Sequence, residues 1–230
     1  MSKAWQALSV LVAAVVNWRF LKPAVFLACL VPPLIVGYEI CQLLLWGQTD
    51  VLGPDPKKTL LHDTGTNALI LLFITLSVTP IRRIFKVNGI QRVRRMLGVW
   101  SFTYACVHLG IFLVFDRLCY SWETCRIGEL GQDLVDRPFI IAGMVAFSVM
   151  ALLAITSTGG WVRRLKKNWQ RLHRLVYVAA IAAVVHFVWI QKSDFSEPLK
   201  WGYGLLALFA IRVYFSFQKR RSTRPATVSS

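Results

Sequence analysis

The chain has 230 residues, 56% of them hydrophobic, and a formal net charge of +16 from 27 Lys and Arg against 11 Asp and Glu. A mean hydropathy of +0.52 and several nearly charge-free runs of about 20 residues exclude a soluble core and indicate an all-α membrane protein that crosses the bilayer repeatedly. The positive charge sits in short loops between apolar runs and not on one face of a soluble fold, which argues against a nucleic-acid-binding domain.

In chain order, segment 1–23 comes first and holds an apolar stretch from Ala4 to Val16. It is too short to span a bilayer and no small-x-small cleavage site follows, so it reads as a cytoplasmic or interfacial extension in preference to a seventh span or a signal peptide. Six spans follow: Ala24 to Trp46, Leu60 to Pro80, Met96 to Phe115, Pro138 to Ser157, Leu172 to Ile190 and Leu199 to Phe217. Residues 24–217 are therefore expected to form a six-transmembrane-helix bundle. The tail 218–230, rich in Ser, Arg and Thr, is expected to be disordered. With six spans, segments 1–23, 81–95, 158–171 and 218–230 share one side of the membrane. All four carry Lys and Arg, and none contains an Asp or Glu. The positive-inside rule makes that side cytoplasmic, both termini with it, which for a bacterial inner membrane leaves the other loops periplasmic. Trp46, Trp122, Trp161, Trp169 and Trp201 fall near the expected interfaces, where an amphipathic ring is favoured.

Cys119 and Cys125 lie in the outer loop Asp116 to Arg137, where a disulfide and two free thiols are equally compatible with the spacing. Cys29, Cys41 and Cys106 sit in apolar helix and read as small hydrophobes. No CxxC or CxxCH is present, so neither an iron–sulfur cluster nor covalent haem attachment has support.

The histidines carry the chemistry, because an ionisable group inside a bilayer needs a partner, a cavity or a metal. His108, twelve residues past Met96, lies about 18 Å into the third span. His173 stands at the cytoplasmic mouth of the fifth, and His186, about 20 Å further on, reaches the depth of His108. Two imidazoles at one depth on facing helices can ligate a single haem iron, whereas an isolated one would only hydrogen-bond a neighbour. The thirteen residues between His173 and His186 rotate by a net angle of roughly 220° on an ideal helix, so a bulge or curvature is needed to bring the two round. Fourteen residues before His108, on nearly its face, stands Arg94, followed by Arg95. Either could pair with a haem propionate at an inner site, or serve as a positive-inside anchor. His62, at the outer mouth of the second span, could bond Asp63 or a loop carbonyl, or face a quinone or a docked partner. No GxGxxG, Walker A, HExxH or GxSxG motif occurs. The chain thus carries no nicotinamide domain of its own, and electrons must reach it from another protein, a flavin or membrane quinol.

Taken together, His62-Asp63-Thr64-Gly65, Thr79-Pro80-Ile81-Arg82, Arg94-Arg95-Met96-Leu97-Gly98-Val99-Trp100, Tyr104-Ala105-Cys106-Val107-His108-Leu109, Asp136-Arg137-Pro138-Phe139, Thr156-Ser157-Thr158, Asn168 to Tyr177 and His186-Phe187-Val188-Trp189 resemble the ferric-reductase-like transmembrane family, the haem core shared with NADPH oxidases. The resemblance implies one or two haem b groups, with His108 and His186 as outer ligands and His173 as an inner ligand. Arg94 stands where the oxidase pattern has a second inner histidine. It also implies FMN, with no residues assigned to it, and an electron-transfer subunit that is not itself the catalytic enzyme. Electrons would come from quinol or a cytoplasmic flavin reductase. They would pass to a periplasmic molybdopterin reductase, a heterodimer partner that repairs methionine sulfoxide in proteins. Two other functions fit parts of the pattern. A stand-alone ferric or cupric reductase would work without a periplasmic partner. A proton or ion transporter using His62, His108 and His186 as a relay would be colourless and need a polar path, for which Glu39 is the buried-looking acid.

Overall fold

The computed structural model describes residues 19–47, 52–117, 135–191 and 194–222, and these are helical apart from short connections. Helix α1 spans Leu21–Trp46, α2 Pro56–Phe85 and α3 Gln91–Phe112, the last extended by a π-turn at Leu113–Arg117. Helix α4 spans Pro138–Ile155. Two short helices, α5 (Gly159–Leu165) and α6 (Lys167–Leu172), lead through a 3₁₀ turn at His173–Leu175 into α7 (Val176–Ile190), and α8 spans Ser196–Ser222. The stretch Ala4 to Val16, the Cys119/Cys125 pair and the tail beyond Ser222 lie outside the described residues.

Among the described residues five helical stretches are long and apolar enough to cross a membrane: Leu21–Gln42, Pro56–Phe85, Asn88–Phe115, Pro138–Ile155 and Lys167–Ile190. The sixth expected span corresponds to α8, which carries Arg212 in its apolar part and is not among the five. This helix also continues to Ser222, five residues past the expected end of the span at Phe217. The protein is an all-helical membrane protein. Large apolar side chains stand exposed on its outer helices, among them Leu34, Leu152, Ile181 and Leu206. So much exposed apolar surface is stable against lipid and not against water.

Local chemistry sets the helix ends. Pro56 occupies the first turn of α2, where its missing N–H costs nothing, and the Asp55 side chain accepts from the Lys58 amide at 3.0 Å. At the other end Lys86 turns the chain out with φ 55°, after Arg82 and Arg83 have placed positive charge at the helix's negative pole. Pro138 opens α4 in the same way.

Prolines inside helices determine which helices must meet. A proline lacks the N–H that would bond the carbonyl four residues earlier, and in lipid no water replaces it. Pro33 thereby frees the Cys29 carbonyl of α1, which accepts the Tyr104 hydroxyl of α3 at 2.9 Å. Pro80 frees the Leu76 carbonyl of α2, which accepts Nη2 of Arg212 from α8 at 2.5 Å. These two carbonyls, freed by Pro33 and Pro80, are satisfied from another helix.

Helix α2 is the hub. Its Leu69, Leu72, Phe73 and Leu76 join Leu153, Val176, Ala180, Val184 and Leu205 in one cluster. Its Val78 packs with Cys29, Val93 and Leu97 in a second, and its Leu60 with Val36, Leu52 and Ile111 in a third. Fully buried Ser101 of α3 donates to the Ala68 carbonyl at 2.7 Å, the small-residue, hydrogen-bonded contact that lets two helices approach closely in lipid.

Candidate functional site

His108 of α3 and His186 of α7 face each other with ring centroids 6.2 Å apart and planes at 89°. Each ring is held by the same local device. His108 Nδ1 lies 3.0 Å from the Leu61 carbonyl on α2, and the residue four further along that helix is Gly65. His186 Nδ1 lies 2.7 Å from the Phe139 carbonyl on α4, and the residue four further along is Gly143. A Cβ at Gly65 would stand 3.1 Å from the His108 ring, and one at Gly143 would stand 2.9 Å from His186 Nδ1. The glycines are the openings through which the imidazoles reach carbonyls already engaged in a helix.

The chemistry follows from the donor set. A carbonyl only accepts, so Nδ1 carries the proton in both rings and each Nε2 keeps its lone pair. This is the arrangement by which proteins orient a metal-binding histidine. Among the described residues no group of three or more His, Cys, Asp or Glu comes together. A bare zinc-like ion would need such a group. A porphyrin brings four nitrogens of its own to the iron, so two facing imidazoles would be enough to hold it. The residues present fit a haem and do not fit a bare ion.

Toward the other end of the bundle His173 occupies the 3₁₀ turn ahead of α7. Its Nδ1 is 3.2 Å from the Trp169 carbonyl, and its ring stacks on the Trp169 indole at 3.9 Å between centroids. Trp169 is pinned in turn by its Nε1, which donates to the Thr156 carbonyl at 2.9 Å. His173 Nε2 approaches Ser157 Oγ at 3.4 Å, but that hydroxyl donates to Leu153 at 2.7 Å. The 3₁₀ turn supplies the overwinding that the sequence requires. Three residues at about 120° in place of about 100° narrow the angle between His173 and His186 from roughly 140° to roughly 80°.

The two arginines separate. Arg94 is half-buried and lies within electrostatic range of His173, whereas Arg95 is exposed. His62 is exposed in the second turn of α2, with Nδ1 3.4 Å from Asp63 Oδ1 and its ring 6.1 Å from that of Phe187. It does not join the facing pair.

Residues 64–184 match the model of a family described as "Ferric reductase like transmembrane component". Proteins named "Protein-methionine-sulfoxide reductase heme-binding subunit MsrQ" match over most of the chain. That of Xanthomonas euvesicatoria pv. vesicatoria is 40% identical over 88% of this chain and 89% of its own. That of Xanthomonas campestris pv. campestris is 42% identical over 88% and 89%, and that of Herminiimonas arsenicoxydans 40% over 87% and 87%. The chain belongs to the ferric-reductase-like transmembrane family. No solved structure matches it.

The family match begins at Thr64, takes in His108, Gly143 and His173, and ends two residues before His186. Sequence reasoning singled out the histidines and missed what holds them. Gly65 and Gly143 look like ordinary helix glycines until the packing partner is known. Arg212 was also missed, although a charge inside an otherwise apolar run is a signal that the sequence does carry.

Proposed function

We propose that this protein is the haem-binding, electron-transferring subunit of a methionine sulfoxide reductase system, built as a six-helix bundle of the bacterial inner membrane with both termini cytoplasmic. The observation that carries this reading is the facing pair His108 and His186, each fixed in the same tautomer by a carbonyl and a glycine of a neighbouring helix. The printed names of the relatives support it.

In this reading His108 and His186 would hold a haem b, and His173 would serve an inner site, giving one or two haems. Bound haem supplies one-electron transfer. The protein's own contribution is to fix the imidazoles before the cofactor arrives and to surround them with apolar helix. Arg94 offers positive charge on the His173 side, while Arg95, exposed, acts as an interface anchor. His62 is placed where a quinone or a docked partner would meet the surface. FMN completes the proposed cofactor set, on the family resemblance alone.

The chain would take electrons from membrane quinol or a cytoplasmic flavin reductase and deliver them to the periplasmic molybdopterin reductase MsrP, with which it forms a heterodimer. The outer loops are too short to enclose a pocket for methionine sulfoxide, so the sulfoxide chemistry belongs to the partner. To test this, the purified chain is reduced chemically and its absorption followed while MsrP and a methionine sulfoxide substrate are added. The reading expects a reduced-minus-oxidised haem spectrum and reoxidation that requires the partner. A colourless preparation, or sulfoxide reduction by this chain unaided, would refute it.

A further inference from the structure

Arg212 lies in α8 among Ala210, Ile211 and Val213, and the proline-freed carbonyl of Leu76 uses only one of its donors. Nη1 donates to the Tyr177 hydroxyl, and the guanidinium carbon stands 5.1 Å from the centre of that ring. Its Nε is buried with no partner among the described residues. So is Oγ1 of Thr79, which lies three residues beyond Leu76 and therefore on the same face of α2. Two orphaned polar atoms thus remain beside the two hydrogen bonds that Arg212 makes.

The charges around Arg212 deepen the imbalance. Tyr177 is an electrostatic neighbour of both Arg212 and Arg94, and Arg212 also feels Arg94 and Arg83. Arg94 feels Arg82 as well. Among the described residues no carboxylate is an electrostatic neighbour of either side chain, and the segments 81–95, 158–171 and 218–230 contain no Asp or Glu. Guanidinium groups gathered in low dielectric without a counter-charge repel one another, and buried charges persist when they are paired. None of the described residues supplies that anion.

We propose that Arg212 and Arg94, arranged about Tyr177, form a binding site for a phosphate group that comes from outside the chain, either a lipid headgroup or a soluble phosphomonoester. The guanidinium fork is suited to phosphate oxygens. Arg212 on α8 and Thr79 on α2 keep buried polar atoms without a partner among the described residues, and a phosphate has more acceptor oxygens to offer them and Arg94 than a carboxylate has. Tyr177 is a positioning residue, holding Arg212 by its hydroxyl and its ring face.

The test is native mass spectrometry of the full chain, delipidated in neutral detergent and then titrated in two arms. One arm adds inorganic phosphate. The other adds mixed micelles of phosphatidylglycerol, with diacylglycerol as the phosphate-free control. Wild type is expected to take up one saturable ligand per chain in at least one arm. Uptake only in the lipid arm assigns a headgroup, and uptake only in the phosphate arm assigns a soluble phosphate compound. Arg212→Gln and Arg94→Gln are each expected to weaken binding by about tenfold or more, the scale of a lost charge-assisted contact. The exposed Arg163→Gln is expected to bind as wild type. Because Arg212→Gln also removes the donor to Leu76, circular dichroism and a monodisperse elution peak qualify each variant, and Arg94→Gln decides the case if Arg212→Gln does not fold. No uptake in either arm, or equal binding by wild type and every folded variant, overturns the proposal.

Discussion

His186 donates its Nδ1–H to the Phe139 carbonyl, and only the missing side chain of Gly143 lets the ring get there. Replacing Gly143 by Ala puts a methyl 2.9 Å from that nitrogen, closer than a real Cβ contact, so the ring has to move. The expected cost is about 1–3 kcal/mol of overpacking, read as a lower thermal midpoint in detergent. At Gly37, where an added Cβ meets nothing within 4 Å, the same change is expected to be neutral, or stabilising by up to about 1 kcal/mol through helix propensity. Equal effects at the two glycines would remove the argument that Gly143 is an opening for the imidazole. For cofactor retention, His108→Ala and His186→Ala are each expected to abolish the outer haem signal, whereas His62→Ala keeps it, since an exposed ring 3.4 Å from Asp63 has water as an alternative partner. Loss of the signal from the His62 variant with retention in the deep pair would reverse the assignment. The histidines were legible in the sequence because a fixed rise per residue converts spacing into depth. The glycines and carbonyls that aim them were not, because they belong to other helices.

At the scale of elements, the proline-freed carbonyls make a double-mutant test possible. Tyr104→Phe leaves the Cys29 carbonyl without its donor and is expected to cost about 1–3 kcal/mol. On a Pro33→Ala background the helix provides its own amide to that carbonyl, so the same change is expected to cost much less. Unfolding titrations of the four proteins measure the difference. If Tyr104→Phe costs the same on both backgrounds, the missing proline amide is not what makes the hydroxyl necessary. Hydropathy made the helices legible, but their ends moved. Helix α2 runs past Pro80 to Phe85 because the freed carbonyl is repaired by Arg212 and does not end the helix. The angular mismatch between His173 and His186 was legible as a demand for overwinding. Its location was not, since nothing in the residues His173 to Leu175 marks a 3₁₀ turn over an α turn.

For the molecule as a whole, the one-sided placement of Lys and Arg fixes the expected orientation. Single cysteines introduced at positions 88 and 128 on a cysteine-free background can be labelled with a membrane-impermeant maleimide in intact cells. Position 128 is expected to react and position 88 to be protected. The opposite pattern would invert the direction of electron flow proposed above. The number of spans shows how composition and tertiary structure can diverge. Apolarity selects five helical stretches and passes over α8, whose Arg212 lowers its hydropathy. The same side chain ties α8 to α2 and α7, so the least apolar of the long helices is also one of the most specifically attached.

The order in which the chain is made adds a constraint. Helix α1 enters the bilayer with the Cys29 carbonyl unpaired and waits for α3, and α2 waits with the Leu76 carbonyl until α8, the last helix to emerge. An unpaired carbonyl in hydrocarbon is costly. A chain cut short before α8 would therefore keep the Leu76 carbonyl of its hub helix without the Arg212 donor, a polar defect that hydrocarbon does not satisfy.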